Sequence, residues 1–156
     1  MRFNPRKVLL DPYSRAIVGN DIYDRKAAEG KGDNSHSCMK SVIAPNDGYD
    51  WEGDRPLLHP LGETIIYEMH VKGFTQHESS GVSPEKRGTY AGLIEKIPYL
   101  KDLGITAVEL LPVYQFDKSD APDGLPNYWG YSPVSFFAPH REYSSDKSTL
   151  GPVNEF

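Results

Sequence analysis

Between Thr64 and Pro112 the hydrophobic pattern changes period twice. Residues 64–71 (TIIYEMHV) and 105–112 (ITAVELLP) are short, nearly continuous apolar runs with β-branched residues, which predicts strands. Between them Tyr90, Leu93, Ile94, Ile97, Leu100 and Leu103 recur every three or four residues, one face of a helix. Strand, crossover helix and strand predict two parallel neighbours joined by a right-handed connection. Thr89 reads as the helix N-cap and Gly104 as the left-handed residue past its end. Pro98 has no backbone N–H, so it predicts a bend or restart.

Alternation along the first strand puts Ile65, Tyr67, Met69 and Val71 on one face and Ile66, Glu68 and His70 on the other. The first face is apolar enough to lie under helices. The second is mixed, and it fits the interior of a closed barrel, where polar groups reach one another. On the second strand Ala107, Glu109 and Leu111 share a face.

The rest of the chain is less periodic. Asn4-Pro5 and Asp11-Pro12 bracket Val8-Leu9-Leu10, enough for a short strand or one helical turn. Residues 24–62 read as irregular and polar. Within them, Lys31 to Ser37 reads as an exposed loop, Met39 to Ala44 as a short extended piece and 45–48 as a turn, and Trp51 as a buried anchor. Gly73 to Gly88 reads as a loop. After Pro112 a second loop leads into Asn127-Tyr128-Trp129-Gly130-Tyr131-Ser132-Pro133, and six aromatics fall between Tyr128 and Tyr143.

Composition narrows the function classes. With 156 residues the length prior gives one domain, and a net charge of −5 argues against a nucleic-acid binder, which normally shows a basic face. No apolar run is long enough to cross a bilayer, and no secretory signal opens the chain, so no membrane partner is expected. Cys38 is the one cysteine, which excludes an internal disulfide. The five histidines are scattered without metal-ligand spacing, and no glycine-rich phosphate fingerprint follows the first strand. Neither a metal nor a cofactor is expected.

Three groups of residues are candidates for chemistry. Glu68 and Glu109 would face the same side of a parallel pair, and carboxylates about 5 Å apart are the geometry of a retaining glycosidase. Both sit mid-strand, whereas barrel active sites lie at the C-terminal ends of strands, which favours inward structural carboxylates. His70 lies nearer that end and suits contact with a substrate hydroxyl, beside the commoner role of a satisfied structural histidine. In the aromatic stretch, ring faces suit the apolar faces of sugars. Tyr131 reads as a ligand contact, Trp129 fits either ligand or packing, and Phe136 and Phe137 read as filling a small core.

These residues carry a resemblance. Tyr67 to Thr75 (YEMHVKGFT) resembles the first barrel strand of isoamylase and glycogen debranching enzymes of the α-amylase superfamily, glycoside hydrolase family 13. Ile97 to Pro112 resembles the first helix and second strand, and Asn127 to Tyr131 (NYWGY) the following loop. Phe3-Asn4-Pro5 with Leu9 to Tyr13 is similar to the segment joining a β-sandwich carbohydrate-binding module to the barrel.

The resemblance implies an α/β fold, the N-terminal portion of a (β/α)8 barrel comprising its first two strands and first helix. Residues 1–62 would be the irregular linker from the sandwich module and 63–156 the start of the barrel. It implies retaining hydrolysis of α-1,6-glucosidic branches in glycogen, starch or amylopectin, in the cytoplasm or a plant plastid. The family's catalytic carboxylates lie on the fourth, fifth and seventh strands, so no catalytic residue is carried over. Tyr131 matches the tyrosine that stacks on the sugar at the cleavage subsite. Trp129, His70 and Ser132 complete the expected contacts, although Ser132 stands where related enzymes often have Asp. A non-catalytic carbohydrate-binding piece and part of a branching enzyme are the alternatives.

Overall fold

The computed structural model describes residues 3–45 and 48–156, and the turn read at 45–48 falls partly outside them. The chain forms two compact units, Pro45–Leu111 and Met1–Ala44 with Pro112–Phe156.

In the first unit the two apolar runs become β3 (Ile66–Met69) and β4 (Ala107–Leu110), the strands on either side of the helical stretch. They pair in parallel, with Ile66 beside Ala107, Tyr67 beside Val108, Glu68 beside Glu109 and Met69 beside Leu110. Polar contacts set this register at its start. The Ile65 N–H donates to Thr106 Oγ1 at 2.8 Å, and Ile65 O accepts from the Thr106 and Ala107 N–H groups. The expected alternation holds within β3, where Met69 is buried and Tyr67 half-buried while Ile66 and Glu68 are exposed, but not past its ends: Ile65 is exposed and His70, which opens the next helix, is buried.

The helical stretch divides as the proline requires. Thr89 Oγ1 accepts the Gly92 N–H at 3.2 Å and caps α3 (Tyr90–Glu95). The chain restarts as α4 (Ile97–Asp102), with Pro98 in its first turn, where a missing N–H is tolerated. Gly104 follows at φ +84°. Periodicity correctly groups the apolar side chains, yet only part of the face is covered. Tyr90 and Leu100 are buried, whereas Ile94, Ile97 and Leu103 are about half exposed. The spacing defines a face but does not say what lies against it.

The stretch read as a loop from Gly73 begins inside a helix, α2 (Val71–Gln76). Its cap is unconventional: His70 Nδ1 accepts the Gly73 N–H at 3.0 Å. Histidine is not among the usual N-cap residues, so no start signal marked this helix. Thr75 is fully buried and its Oγ1 accepts the Gly88 N–H at 2.8 Å, which holds α2 to the turn before α3. Gly92 permits close packing there, since a Cβ would stand 2.2 Å from Lys86 O. Trp51 corrects the expected anchor. It is 67% exposed, touching the Tyr49 ring edge-to-face at 5.0 Å. Its neighbours Asp50, Glu52, Gly53 and Asp54 are themselves exposed, so they provide no apolar slot.

The second unit contains two antiparallel pairs. β1 (Ala16–Val18) pairs with β2 (Lys40–Val42), inside the piece read as extended, and β5 (Tyr114–Phe116) pairs with β6 (Pro133–Pro139). The register of the second pair shifts on either side of Gln115. Ile17, Met39 and Ala138 form one buried cluster of this unit, with Leu10, Tyr23 and Val134 half-buried against them. Ser135 Oγ donates to Ser14 O at 3.1 Å, and Asn34 clasps both backbone groups of Val8. Helix α1 (Arg25–Glu29) appears where the sequence reads as irregular. It buries no residue, so it leaves no apolar period to find; its one local signal is Asp24, whose Oδ1 accepts the Ala27 N–H. Helix α5 (Gly151–Glu155) ends the described chain, and the Glu155 carboxylate accepts hydrogen bonds from Ser144, Ser145 and Asp146.

The His140 ring stacks on Phe116 at 3.8 Å, and Tyr143 meets both rings, at 4.6 and 6.0 Å. Burial pushes the Tyr143 phenol well above its ordinary range, with Tyr128 and Glu142 adding to the shift. Because its folded pKa is raised, the neutral phenol stabilises the fold below the unfolded value of about 10. That contribution is lost as pH rises beyond it. Denaturant titrations between pH 8 and 11 should therefore show a shallower alkaline loss of stability in Tyr143→Phe than in the wild type. Equal pH slopes would contradict this burial.

Candidate functional site

The loop between β5 and β6 positions the candidate residues, and its order starts at Asp117. This carboxylate is only 4% exposed. A buried charge is costly unless it is paired and hydrogen-bonded, and Asp117 meets both conditions. Its Oδ1 accepts from the Ser119 N–H at 2.8 Å and from Ser119 Oγ at 2.6 Å. Its Oδ2 accepts from Arg25 Nη1 at 2.7 Å. The same guanidinium lies 3.2 Å from Asp120 and, through Nε, 2.9 Å from Glu29. The Asp117 bond holds the Arg25 pKa above its already high ordinary value, and burial followed by the Asp117 charge pushes the Tyr23 phenol up.

The aromatic segment is fastened to this platform at both ends. At the near end Asn127 donates from its amide to Asp117 O at 3.1 Å and from its backbone to Lys118 O at 2.8 Å. At the far end Ser132 O accepts the Asp117 N–H at 2.9 Å, and the Ser132 hydroxyl donates to Asp120 Oδ2. Asn127 Oδ1 accepts the Gly130 N–H at 3.0 Å and tightens the turn between them. Gly130 has φ +83°, and a Cβ there would meet the Phe116 ring at 2.9 Å, so this turn requires glycine.

Held this way, Tyr131 is 68% and Trp129 57% exposed. Tyr128 stands edge-to-face against Trp129 at 5.3 Å. Burial, with Tyr131 adding to it, raises the Tyr114 phenol pKa. Phe136 and Phe137 correct the expectation of a small core, because both are more than half exposed. Adjacent strand residues point to opposite faces, and Phe136 meets the Tyr114 ring at 5.3 Å while Phe137 stacks with Tyr13 at 5.8 Å.

Ser132 is half-buried, and its hydroxyl proton is committed to Asp120. In the other unit, His70 is 8% exposed, and its Nδ1 is the cap acceptor for α2. When Nδ1 accepts in the neutral ring, Nε2 carries the proton. Glu68 and Glu109 are register partners on neighbouring strands, and both are exposed.

Beside the loop's base lies a cleft of about 390 Å³, lined by Tyr23, Phe116, Asp117, Lys118, His140 and Glu142. Its charged groups are already paired, Lys118 with Glu142 at 2.9 Å and Asp117 with Arg25. Among the described residues no group of three or more His, Cys, Asp or Glu could hold a metal ion, and no helix is long and apolar enough to cross a membrane. Sequence reasoning missed Asp117, Asp120 and Arg25. Asp117-Lys118-Ser119 carries the signal of a side chain that bonds its own backbone two residues on, but nothing local marks Arg25, 92 residues away.

The backbone of the loop can be tested with two glycines. Both Gly130 and Gly124 have positive φ, but a Cβ at Gly124 meets nothing within 4 Å. Gly124→Ala should lose about 1 kcal/mol from strain alone. Gly130→Ala should lose clearly more in denaturant melts, because the Phe116 ring must also move. Equal losses would mean that Gly130 does not pack on Phe116.

The family model of the alpha-amylase catalytic domain matches residues 21–147. A chloroplastic isoamylase 1 of Oryza sativa subsp. japonica is 40% identical over 146 residues, covering 92% of this chain and 18% of that protein. A glycogen debranching enzyme of Yersinia pestis bv. Antiqua (strain Angola) is 40% identical over 162 residues, covering 99% of this chain and 24% of its own length. The crystal structure of a pullulanase from Anoxybacillus sp. LM18-11, complexed with maltotriose, superposes with a TM-score of 0.68 at 27% identity. That match covers 94% of this chain and 20% of the pullulanase. The chain thus spans about a fifth of the length of the relatives it matches.

Proposed function

The chain belongs to the alpha-amylase catalytic-domain family, and from that premise we propose that it is part of a debranching enzyme acting on α-1,6 branches of glycogen or starch by a retaining mechanism. The observation that carries this reading is the exposed pair Tyr131 and Trp129 on a loop fastened at both ends. Exposed rings held rigidly lose little freedom when a sugar stacks on them, which favours binding. The similar isoamylase and glycogen debranching enzyme support the substrate class, as does the maltotriose bound to the pullulanase.

In this reading β3 and β4 are the first two strands of a (β/α)8 barrel, and the α3–α4 stretch is the crossover between them. The linker from a β-sandwich module belongs to residues 1–62 and the start of the barrel to 63–156. Loops that follow barrel strands carry the site in such folds, and Pro112 to Ser132 follows β4 in the chain. Tyr131 stacks on a glucose ring, with Trp129 beside it. Ser132 offers its oxygen to the sugar. His70 belongs to the other unit and is proposed separately as a contact to a substrate hydroxyl, its ring held by the Gly73 N–H. Glu68 and Glu109 are not the reacting carboxylates, and residues 1–156 supply binding without bond cleavage. The compartment in this reading is the cytoplasm, or in a plant the plastid, which the chloroplastic relative supports.

Two measurements test this. The 156-residue polypeptide should be retarded by glycogen in affinity electrophoresis, lose that retardation in Tyr131→Ala and release no reducing ends. Exchanged for the matching segment of the Yersinia enzyme, residues 1–156 should preserve debranching, and Tyr131→Ala in that chimera should weaken it by roughly tenfold to a hundredfold, the scale of one lost sugar-stacking contact. Turnover by the isolated polypeptide that vanishes in Glu68→Gln would overturn the assignment of roles. Failure of both chain and chimera to engage glycogen would overturn the substrate class.

A further inference from the structure

Helix α1 buries no side chain, and its three-carboxylate arginine has no evident role in the core. The hydrogen bonds give it one. Arg25 reaches Asp117, which accepts at its carbonyl from Asn127 and donates its N–H to Ser132, so both ends of the aromatic segment meet this one residue. The same guanidinium lies against Asp120, whose other oxygen accepts the Ser132 hydroxyl. Glu29, one helical turn on, holds the guanidinium from behind at 2.9 Å. Tyr131 is adjacent to Ser132, and Trp129 lies between Asn127 and Gly130.

We infer that Arg25 is a positioning residue for glucan binding: by bridging Asp117 and Asp120 it fixes the loop that presents Tyr131 and Trp129. The inference rests on the proposed glucan role of that loop. Planarity matters, because one guanidinium serves three carboxylates in a fixed fork, which the point charge of a lysine does not reproduce. Removing Arg25 leaves Asp117 buried without its cation. Asp117 then relaxes toward water and carries the anchors of both loop ends with it.

The test uses the whole 156-residue chain in a Trp51→Phe background, where Trp129 is the one remaining tryptophan. Arg25→Gln should shift Trp129 emission to the red, raise its quenching by acrylamide and weaken glycogen binding by about tenfold, the scale of a lost coupled network. Arg25→Lys should restore these readouts only in part. Adding Ser132→Ala to Arg25→Gln should change them little further, since both substitutions break one chain of contacts. Ile17→Val lowers the stability of the same unit without touching the network, and it should leave emission, quenching and affinity where they are.

A folded Arg25→Gln chain with unchanged Trp129 emission and quenching would overturn the inference. If Arg25→Gln does not fold, Asp120→Asn decides. It keeps an acceptor for Ser132 and removes only the charge pair, and an unaltered Trp129 signal would again overturn the inference. A wild-type chain that ignores glycogen would refute the glucan reading, while the Trp129 signal still judges the positioning role separately.

Discussion

A carboxylate taken out of water must find its compensation within the fold. At Asp117 that requirement gathers the Ser119 turn, the Arg25 guanidinium and both ends of the segment carrying Trp129 and Tyr131. Charge-assisted hydrogen bonds are shorter and stronger than neutral ones, and the 2.6 and 2.7 Å contacts at this residue are of that kind. Arg25 is partly exposed, but Asp117 is not, and a buried polar group left without its partner keeps its full desolvation cost. The loop is therefore ordered by what would be lost if it moved. Gly130 completes the constraint by letting the turn close onto Phe116 without a side chain between them.

The other unit is ordered by a different rule. β3 and β4 satisfy their backbone groups along one shared edge, and Thr106 places the start of the ladder through its hydroxyl as well as its N–H. Their outer surfaces remain apolar in places: Ile65, Ile66 and Val108 are exposed, as are Ile94, Ile97 and Leu103 on the helices. Such faces suit a sheet that continues and helices that pack against further neighbours, the setting the proposed barrel supplies. Glu68 beside Glu109 is unfavourable as a pair of like charges and tolerable in water, which screens them. Adjacency alone does not make two carboxylates an acid and a nucleophile.

His70 illustrates how a structural and a functional role meet in one side chain. Its ring nitrogen completes a helix start that no serine, threonine or aspartate provides, which fixes the imidazole plane and its tautomer. A histidine used as a cap is pre-organised in the same way as one held by a carboxylate. The role read from sequence as the commoner one is the role the structure displays.

Much of this protein was legible from its residues. Parallel strands around a helix, the Thr89 cap, the restart at Pro98 and the left-handed Gly104 all follow from short-range chemistry: period, capping and backbone freedom act within four or five positions. Helix α1 and helix α2 were not legible, since one buries nothing and the other is capped by an unusual residue. Trp51, Phe136 and Phe137 were misjudged for a related reason: a large ring in a sequence shows how much apolar surface exists, but not whether another surface arrives to cover it. The exposure of Tyr131, the burial of Asp117 and its pairing with Arg25 were decided only by the tertiary structure: exposure and burial depend on what packs around a residue, and the pairing joins residues 92 positions apart.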